Sequence, residues 1–393
     1  MSSPSSVSAA IPSRIPHTEG ARAIAATFVM LSHVGFLSFG LLDTVWTRPL
    51  FRGDVAVPMF FALSGLLLTR MWIRAKERGR PYPATRTYFR HRATRILPAY
   101  LFCIVFIVAT VGRDEPLSTV VQNVFFLQNY TSNYLPDFPQ TWSLCVEVVF
   151  YLTLPAIGYW IARSATTASA LRRIGILALL TPLSLLLVEW PWHLERSDGH
   201  SLTAAVVTTH TLWFCGGMVL AVLEPRLRAP VNADRDWWRR PLPWLLALLA
   251  TYLLVLTPLG GVTDFAPMPL PQGLSREVLL ASFAFLFLGV LMLPAISATP
   301  LGRFMDSRFL RWFGAISYSF FLWQVLVIAG VRHMLGYADF TGGFWLTLLI
   351  SFPASLLVAY ASWWLLERPF MSKSAQAPTG DSVKTTALDG TPG

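Results

Sequence analysis

Ten apolar runs dominate this chain, and most are long enough to cross a lipid bilayer. They cover approximately residues 23–42, 54–73, 96–112, 142–162, 174–190, 202–223, 242–258, 277–296, 312–333 and 344–366. A bilayer core of about 30 Å requires roughly 17–25 consecutive apolar residues in a helix. Lipid offers no partner for backbone N–H and C=O groups, so each run must satisfy its own. The expected fold is therefore all-α, a polytopic membrane helical bundle of about ten transmembrane helices. Composition agrees: 13% of residues are charged and 54% hydrophobic, where a soluble domain carries about twice that charged fraction. The apolar stretch Val120–Asn129 is too short to span and is expected to form an interfacial helix or a re-entrant loop.

The net charge of +10 would point to nucleic acid in a soluble chain. Here topology accounts for it, and no nucleic-acid partner is expected. Ten spans put both termini on one side. All 31 Lys and Arg then fall on that side except Arg48, Arg52, Arg113, Arg196, Arg276 and Arg332. Cytoplasmic loops carry the excess of Lys and Arg, so both termini are expected in the cytoplasm and the protein in a bacterial plasma membrane. Residues 1–20 are Ser-, Pro- and Ala-rich and read as a flexible N-terminal segment. No small-residue cleavage pattern follows the first apolar run, so that run reads as a retained helix. Residues 21–370 read as the membrane domain, and the polar residues 371–393 as a disordered cytoplasmic tail. Cys103, Cys145 and Cys215 lie in apolar runs at irregular spacing, which indicates buried thiols and neither a disulfide framework nor a metal site.

Ionisable residues inside spans are costly and mark candidate functional positions. Arg22 and His33 are eleven residues apart, within about 20° of whole helical turns, so they share one face of the first helix. The rise between them is about 16 Å, which sets Arg22 at the membrane surface and His33 near the midplane. A midplane histidine suits proton transfer or metal binding, with an interhelical hydrogen bond as the plain alternative. Glu147 lies about 8 Å into the span that opens at Trp142. A carboxylate beside His33 would fix its tautomer and raise its basicity; a hydrated vestibule is the other reading. The basic loop from Arg70 to Arg95 contains Arg90, Arg92 and Arg95. The last two share a helix face, and guanidinium groups suit phosphate, although anionic lipid would attract the same residues.

The ordered set of these motifs resembles the acyltransferase-3 family of integral membrane O-acyltransferases. Arg22-(ten residues)-His33 is similar to the family's Arg-x10-His motif. Phe60-Phe61-Ala62-Leu63-Ser64-Gly65 resembles its second-helix signature, and Arg92-Ala93-Thr94-Arg95-Ile96-Leu97-Pro98-Ala99-Tyr100 its basic block. Trp142-Ser143-Leu144, Glu147 and Phe150-Tyr151 resemble its Trp-Ser-Leu…Glu…Phe-Tyr block. Ser317-Tyr318 and Glu367-Arg368-Pro369-Phe370 resemble the late motifs. Two positions depart from the pattern. Pro58 stands where Asp is common, and Phe321-Leu322-Trp323-Gln324 ends in Gln where His is frequent.

The resemblance implies transfer of an acyl group, most often acetyl, from cytoplasmic acyl-CoA to a hydroxyl on a glycan, glycolipid or glycosylated natural product. Acyl-CoA is then a co-substrate, with no cofactor held in place. The resemblance maps the family's functional Arg-His pair onto Arg22 and His33 and its arginine pair onto Arg92 and Arg95. With the residue-by-residue reading this gives His33 and Glu147 as catalytic, Arg22, Arg90, Arg92 and Arg95 as acyl-CoA-binding, and Ser64, Trp142, Ser143 and Tyr318 as substrate-binding. The rival reading is a proton-coupled transporter using His33 and Glu147 as a relay; no inverted repeat supports it. The charge asymmetry carries the topology prediction. Reporters fused to the C-terminus should be active only if they fold in the cytoplasm; a C-terminal reporter active only outside the cell would contradict the assignment.

Overall fold

The computed structural model describes residues 15–39, 48–189, 207–229, 236–261 and 268–371. The tail from 372 and the residues before 15, both expected from the sequence to be flexible, lie outside this set. Residues 15–20 do not form a flexible lead-in. Ile15 and His17 are buried, the His17 ring meets Ser297 at 3.1 Å and Asp306 at 3.0 Å, and helix begins at Thr18.

All regular structure among the described residues is helical. Eleven helices build the bundle: α1 (Thr18–Phe39), α2 (Ala56–Glu77), α3 (Thr85–Ala109), α4 (Trp142–Ala162), α5 (Thr167–Ala178), α6 (Leu180–Glu189), α7 (Thr211–Arg228), α8 (Pro241–Val255), α9 (Leu270–Met292), α10 (Arg308–Met334) and α11 (Phe344–Ser362). Helices α5 and α6 follow one another with a break at Leu179 and together form one crossing, Thr167–Leu187. Among the described residues nine stretches are long and apolar enough to span a membrane, and α8 is a shorter apolar helix. Its 15 residues rise about 22 Å. Thr257 and Pro258 stop it, with a 3₁₀ turn at Pro258–Gly260.

The third expected span begins earlier than its apolar run. Helix α3 starts at Thr85, so Arg86, Arg90, Arg92 and Arg95 stand on a helix and not in a loop. The other end of the basic stretch is helical too, since Arg70 and Arg74 belong to α2. Only residues 78–84 connect the two. The Val120–Asn129 stretch becomes two short helices, Leu117–Val124 and Gln128–Thr131. They dock on α3 through Tyr100, whose hydroxyl donates to Asn123 O at 2.7 Å and accepts from Gln128 Nε2 at 3.1 Å.

Helix α2 is the hub. It packs against α7, α9, α4 and α1, while α1 packs on α10 and α10 on α11. Lipid supplies no hydrophobic drive between helices, so close backbone approach and van der Waals contact must hold them. The α2–α7 crossing achieves this with Gly65 and Gly217. A Cβ at Gly65 would fall 2.2 Å from Phe214 O, and one at Gly217 would fall 1.8 Å from Ala62 O. Around the crossing Phe61, Phe150 and Phe214 stack, with Phe214 ring centroids 4.5 Å and 3.9 Å from the other two. Gly217→Val should therefore separate α2 from α7, costing about 1–3 kcal/mol or more by overpacking, with a clear drop in unfolding temperature followed by tryptophan fluorescence in detergent. Gly175→Ala on α5, where a Cβ meets nothing within 4 Å, should leave that temperature almost unchanged.

Candidate active site

Helices α1, α2, α3, α4 and α10 enclose a cavity of about 320 Å³, within the size range of ligand sites. The periodicity of each helix determines what it contributes. On α2, Val57, Phe60, Phe61, Ser64, Leu67, Leu68 and Met71 line the cavity. They recur every three or four residues along about 21 Å of helix. On α3, Arg92, Arg95 and Ile96 continue a face that also buries Tyr88 and Ala99. Helix α4 presents Ser143, Leu144, Glu147 and Tyr151, α10 presents Ser317, Tyr318 and Phe321, and α1 presents Arg22 and Val29.

The cavity is electrostatically lopsided. Its lining holds three guanidiniums, Arg22, Arg92 and Arg95, against one carboxylate, Glu147. Arg22 pairs with Glu19 at 3.4 Å and feels the fields of Arg95 and Arg92. Arg92 lies 5.8 Å from the centre of the Tyr151 ring. Arg95 feels the field of Glu367, which is buried at the end of the π-helical segment Trp363–Glu367 and accepts a hydrogen bond from Ser319 at 2.5 Å. Among the described residues Arg92 and Arg95 have no carboxylate at ion-pair distance, so a cluster of poorly compensated cations faces the cavity. Such a wall draws in anions and grips phosphate well.

Glu147 is held differently. Its carboxylate accepts hydrogen bonds from Ser64 Oγ at 2.5 Å and from the Tyr151 hydroxyl. Tyr151 sits one turn further along α4, and the two hydroxyls are 3.3 Å apart. Tyr318 is anchored to α3 by its hydroxyl, which donates to Ile96 O at 2.9 Å.

Seven of the expected site residues thus share one cavity: Arg22, Ser64, Arg92, Arg95, Ser143, Glu147 and Tyr318. His33 is not on its wall. It lies one turn beyond Val29 on the same helical stripe as Arg22, at the far end of the cavity from the arginines. Its ring faces the side chain of Gln324 on α10, one turn beyond Phe321. His33 Nδ1 and both amide atoms of Gln324 are buried without a regular hydrogen bond. Among the described residues no carboxylate bonds the His33 ring, and a carboxamide faces the imidazole. Gln324 is one of the two residues that depart from the family pattern. Arg90 is exposed and off the cavity wall. Trp142 also stands off it, with its ring 5.5 Å from that of His210.

Two features escape sequence reasoning. Tyr151 is readable in principle, because it lies four residues after Glu147 on one helix. The buried pair of His210 and Glu277, 3.3 Å apart, joins helices distant in sequence and has no local signal. Asp54 does not stand in for the missing Asp at position 58. It faces Arg52 and Arg276 at 3.4 and 3.5 Å, away from the cavity.

A family model described as an acyltransferase domain matches residues 18–364. The chain belongs to the acyltransferase-3 family. It is similar to the peptidoglycan O-acetyltransferase OatA of Listeria monocytogenes, with 24% identity over 378 residues, covering 90% of this chain and 55% of that protein. It is also similar to nodulation protein 10 of Rhizobium leguminosarum bv. viciae, at 24% identity, covering 89% and 91% of the two chains. The putative peptidoglycan O-acetyltransferase YrhL of Bacillus subtilis matches at 27% identity over 80% of this chain and 48% of that protein. The chain thus spans about half the length of the two peptidoglycan O-acetyltransferases and most of the nodulation protein. No solved structure matches.

The hydrogen bonds at Glu147 give a graded expectation. Glu147→Gln removes the cavity's one lining carboxylate and with it two charge-assisted hydrogen bonds, and should lower transfer by about 10²-fold or more. Ser64→Ala, which leaves Tyr151 on the carboxylate, should cost roughly tenfold, in line with one lost charge-assisted hydrogen bond. Initial rates at saturating donor, normalised to folded protein, would test the order; equal rates for wild type and Glu147→Gln would remove Glu147 from the chemistry.

Proposed function

We propose that this chain transfers an acyl group, acetyl in the first instance, from acyl-CoA to a sugar hydroxyl of a membrane-associated glycan. The observation that carries the reading is the polarity of one cavity. Arg22, Arg92 and Arg95 crowd one end, Glu147 with Ser64 and Tyr151 lies further in, and His33 stands one turn past the far wall. An acyl-CoA thioester has matching asymmetry, with anionic phosphates at one end and an uncharged reactive carbonyl at the other. Family membership sets aside the transporter reading. The names of the OatA and YrhL relatives favour a glycan acceptor, and peptidoglycan is the first candidate to test.

In this reading the arginines hold the donor phosphates at the cytoplasmic mouth. The acceptor oxygen attacks the thioester carbonyl carbon while His33 takes the hydroxyl proton. The C–S bond breaks, the ester forms, and the CoA thiolate leaves and recovers the proton from the imidazolium. Gln324 holds the His33 ring, and Glu147 with Ser64 and Tyr151 orients the acceptor. His33 can serve equally as a nucleophile that carries the acyl group between the two partners.

Two substitutions test the roles. His33→Gln retains hydrogen bonding and loses the base, so transfer of labelled acetyl from acetyl-CoA to membrane glycan should fall at least about 10²-fold in well-inserted protein. Arg92→Ala combined with Arg95→Ala should raise KM for acetyl-CoA more than KM for the acceptor. Near-wild-type transfer by His33→Gln would make His33 a structural residue; unchanged donor kinetics in the arginine variant would turn those residues into lipid anchors.

A further inference from the structure

Two further cavities adjoin the arginine end of the main one, and Met71 lines all three. The larger, of about 320 Å³, runs along the last turns of α2 and the loop beyond, with Arg70, Arg74, Arg78 and Arg80 on its wall beside Pro81 and Pro83. Leu67, Arg70, Met71, Arg74, Ala75 and Arg78 recur at helical spacing, so α2 gives this cavity one continuous face. None of its lining residues is acidic.

Behind that wall Glu224 of α7, 2% exposed, accepts from Arg70 at 2.5 and 2.8 Å, from Arg74 at 3.0 Å and from Arg228 at 3.1 Å. Arg78 and Arg80 add two more cations with no carboxylate at ion-pair distance among the described residues. The loop that carries them is folded back on the helix end: Arg78 N–H donates to Arg74 O at 3.1 Å and Arg80 N–H to Ala75 O at 2.8 Å. Pro81 and Pro83 stiffen the rest of the loop up to Thr85 by fixing φ at two of its positions. A preorganised concave surface with surplus guanidinium charge and no acid is built for a polyanion. The third cavity carries Tyr88, His91 and Thr94 with Arg92 and Arg95, and so adds no guanidinium beyond those already on the main wall.

We propose that the Arg78–Arg80 cavity seats the 3′-phosphorylated nucleotide end of acyl-CoA, an inference that rests on the donor assignment above. Distances along α2 are consistent with it. Ser64 and Arg78 are separated by about 21 Å of helix rise, with Met71 midway. A thioester placed beside Ser64 and Glu147 leads its diphosphate past Arg92 and Arg95 at the Met71 junction. Its far end then reaches Arg78 and Arg80.

The test is equilibrium binding to the purified full chain in nanodiscs of zwitterionic lipid, which needs no acceptor. Acetyl-CoA and acetyl-3′-dephospho-CoA are titrated into wild type and into the Arg78→Gln, Arg80→Gln double variant. Both positions are exposed and lie just beyond the end of α2, so the variant is expected to fold. Wild type should bind acetyl-CoA about tenfold more tightly than the dephospho compound, as expected for a charge-assisted phosphate contact. The variant should lose that preference while its affinity for the dephospho compound stays at the wild-type value. Equal affinity of wild type for the two compounds, or an equal loss for both in the variant, would overturn the subsite; a lipid-headgroup role for these arginines predicts the first of these. Binding of neither compound by wild type would remove the donor assignment and this subsite with it.

Discussion

Placing guanidinium groups inside a membrane bundle is the constraint on which the rest of this structure depends. A charged side chain facing hydrocarbon costs at least about 2.5–3.5 kcal/mol, so Arg22, Arg92 and Arg95 must turn away from lipid, and they share one cavity between helices. Five helices from distant parts of the sequence converge on them. Glu19 and Glu367 supply negative field from the edges, and Glu147 supplies it from within. The compensation is partial. A structure that neutralised every guanidinium would be more comfortable in lipid and would have nothing with which to attract an anion.

That arrangement requires a rigid wall, and α2 provides it. Gly65 and Gly217 bring α2 and α7 into backbone contact, and Phe61 turns one flank to the cavity while its ring stacks on Phe214 behind. Ser64 sits beside that crossing, so the hydroxyl that bonds Glu147 is placed by the most tightly packed part of the bundle. Packing and site are two sides of one helix. Residues 61–65 alternate between them because helical periodicity turns successive side chains to different faces.

Much of this is legible in the sequence, and the failures have physical causes. Span 142–162 is readable with both ends correct because its polar flanks are abrupt. The shared face of Arg22 and His33 comes from periodicity alone. Hydropathy starts helix α3 eleven residues late because it is blind to the polar extension of a membrane helix. Thr85–Arg95 is too basic to look like a span, yet nothing in it breaks a helix. Trp142 looks like a site residue only because its neighbours in the motif are. It opens α4, and its ring turns sideways onto His210 while Ser143 turns inward. Adjacent residues on a helix point about 100° apart, so a contiguous motif cannot all face one cavity. The neighbour of His33 is out of reach, because no local pattern brings Gln324 across from α10.

The His33–Gln324 pair explains why the departure from the family pattern is chemically coherent. Both side chains sit at the end of the cavity away from the arginines, where a second titratable ring would compete with His33 for one proton. A carboxamide cannot ionise near neutral pH. It offers a donor and an acceptor to whichever tautomer the imidazole adopts. The ring of His33 faces that carboxamide directly. In the proposed mechanism, a neighbour of this kind orients the imidazole through either amide atom and leaves the titrating proton to the ring alone, which a second histidine could not do.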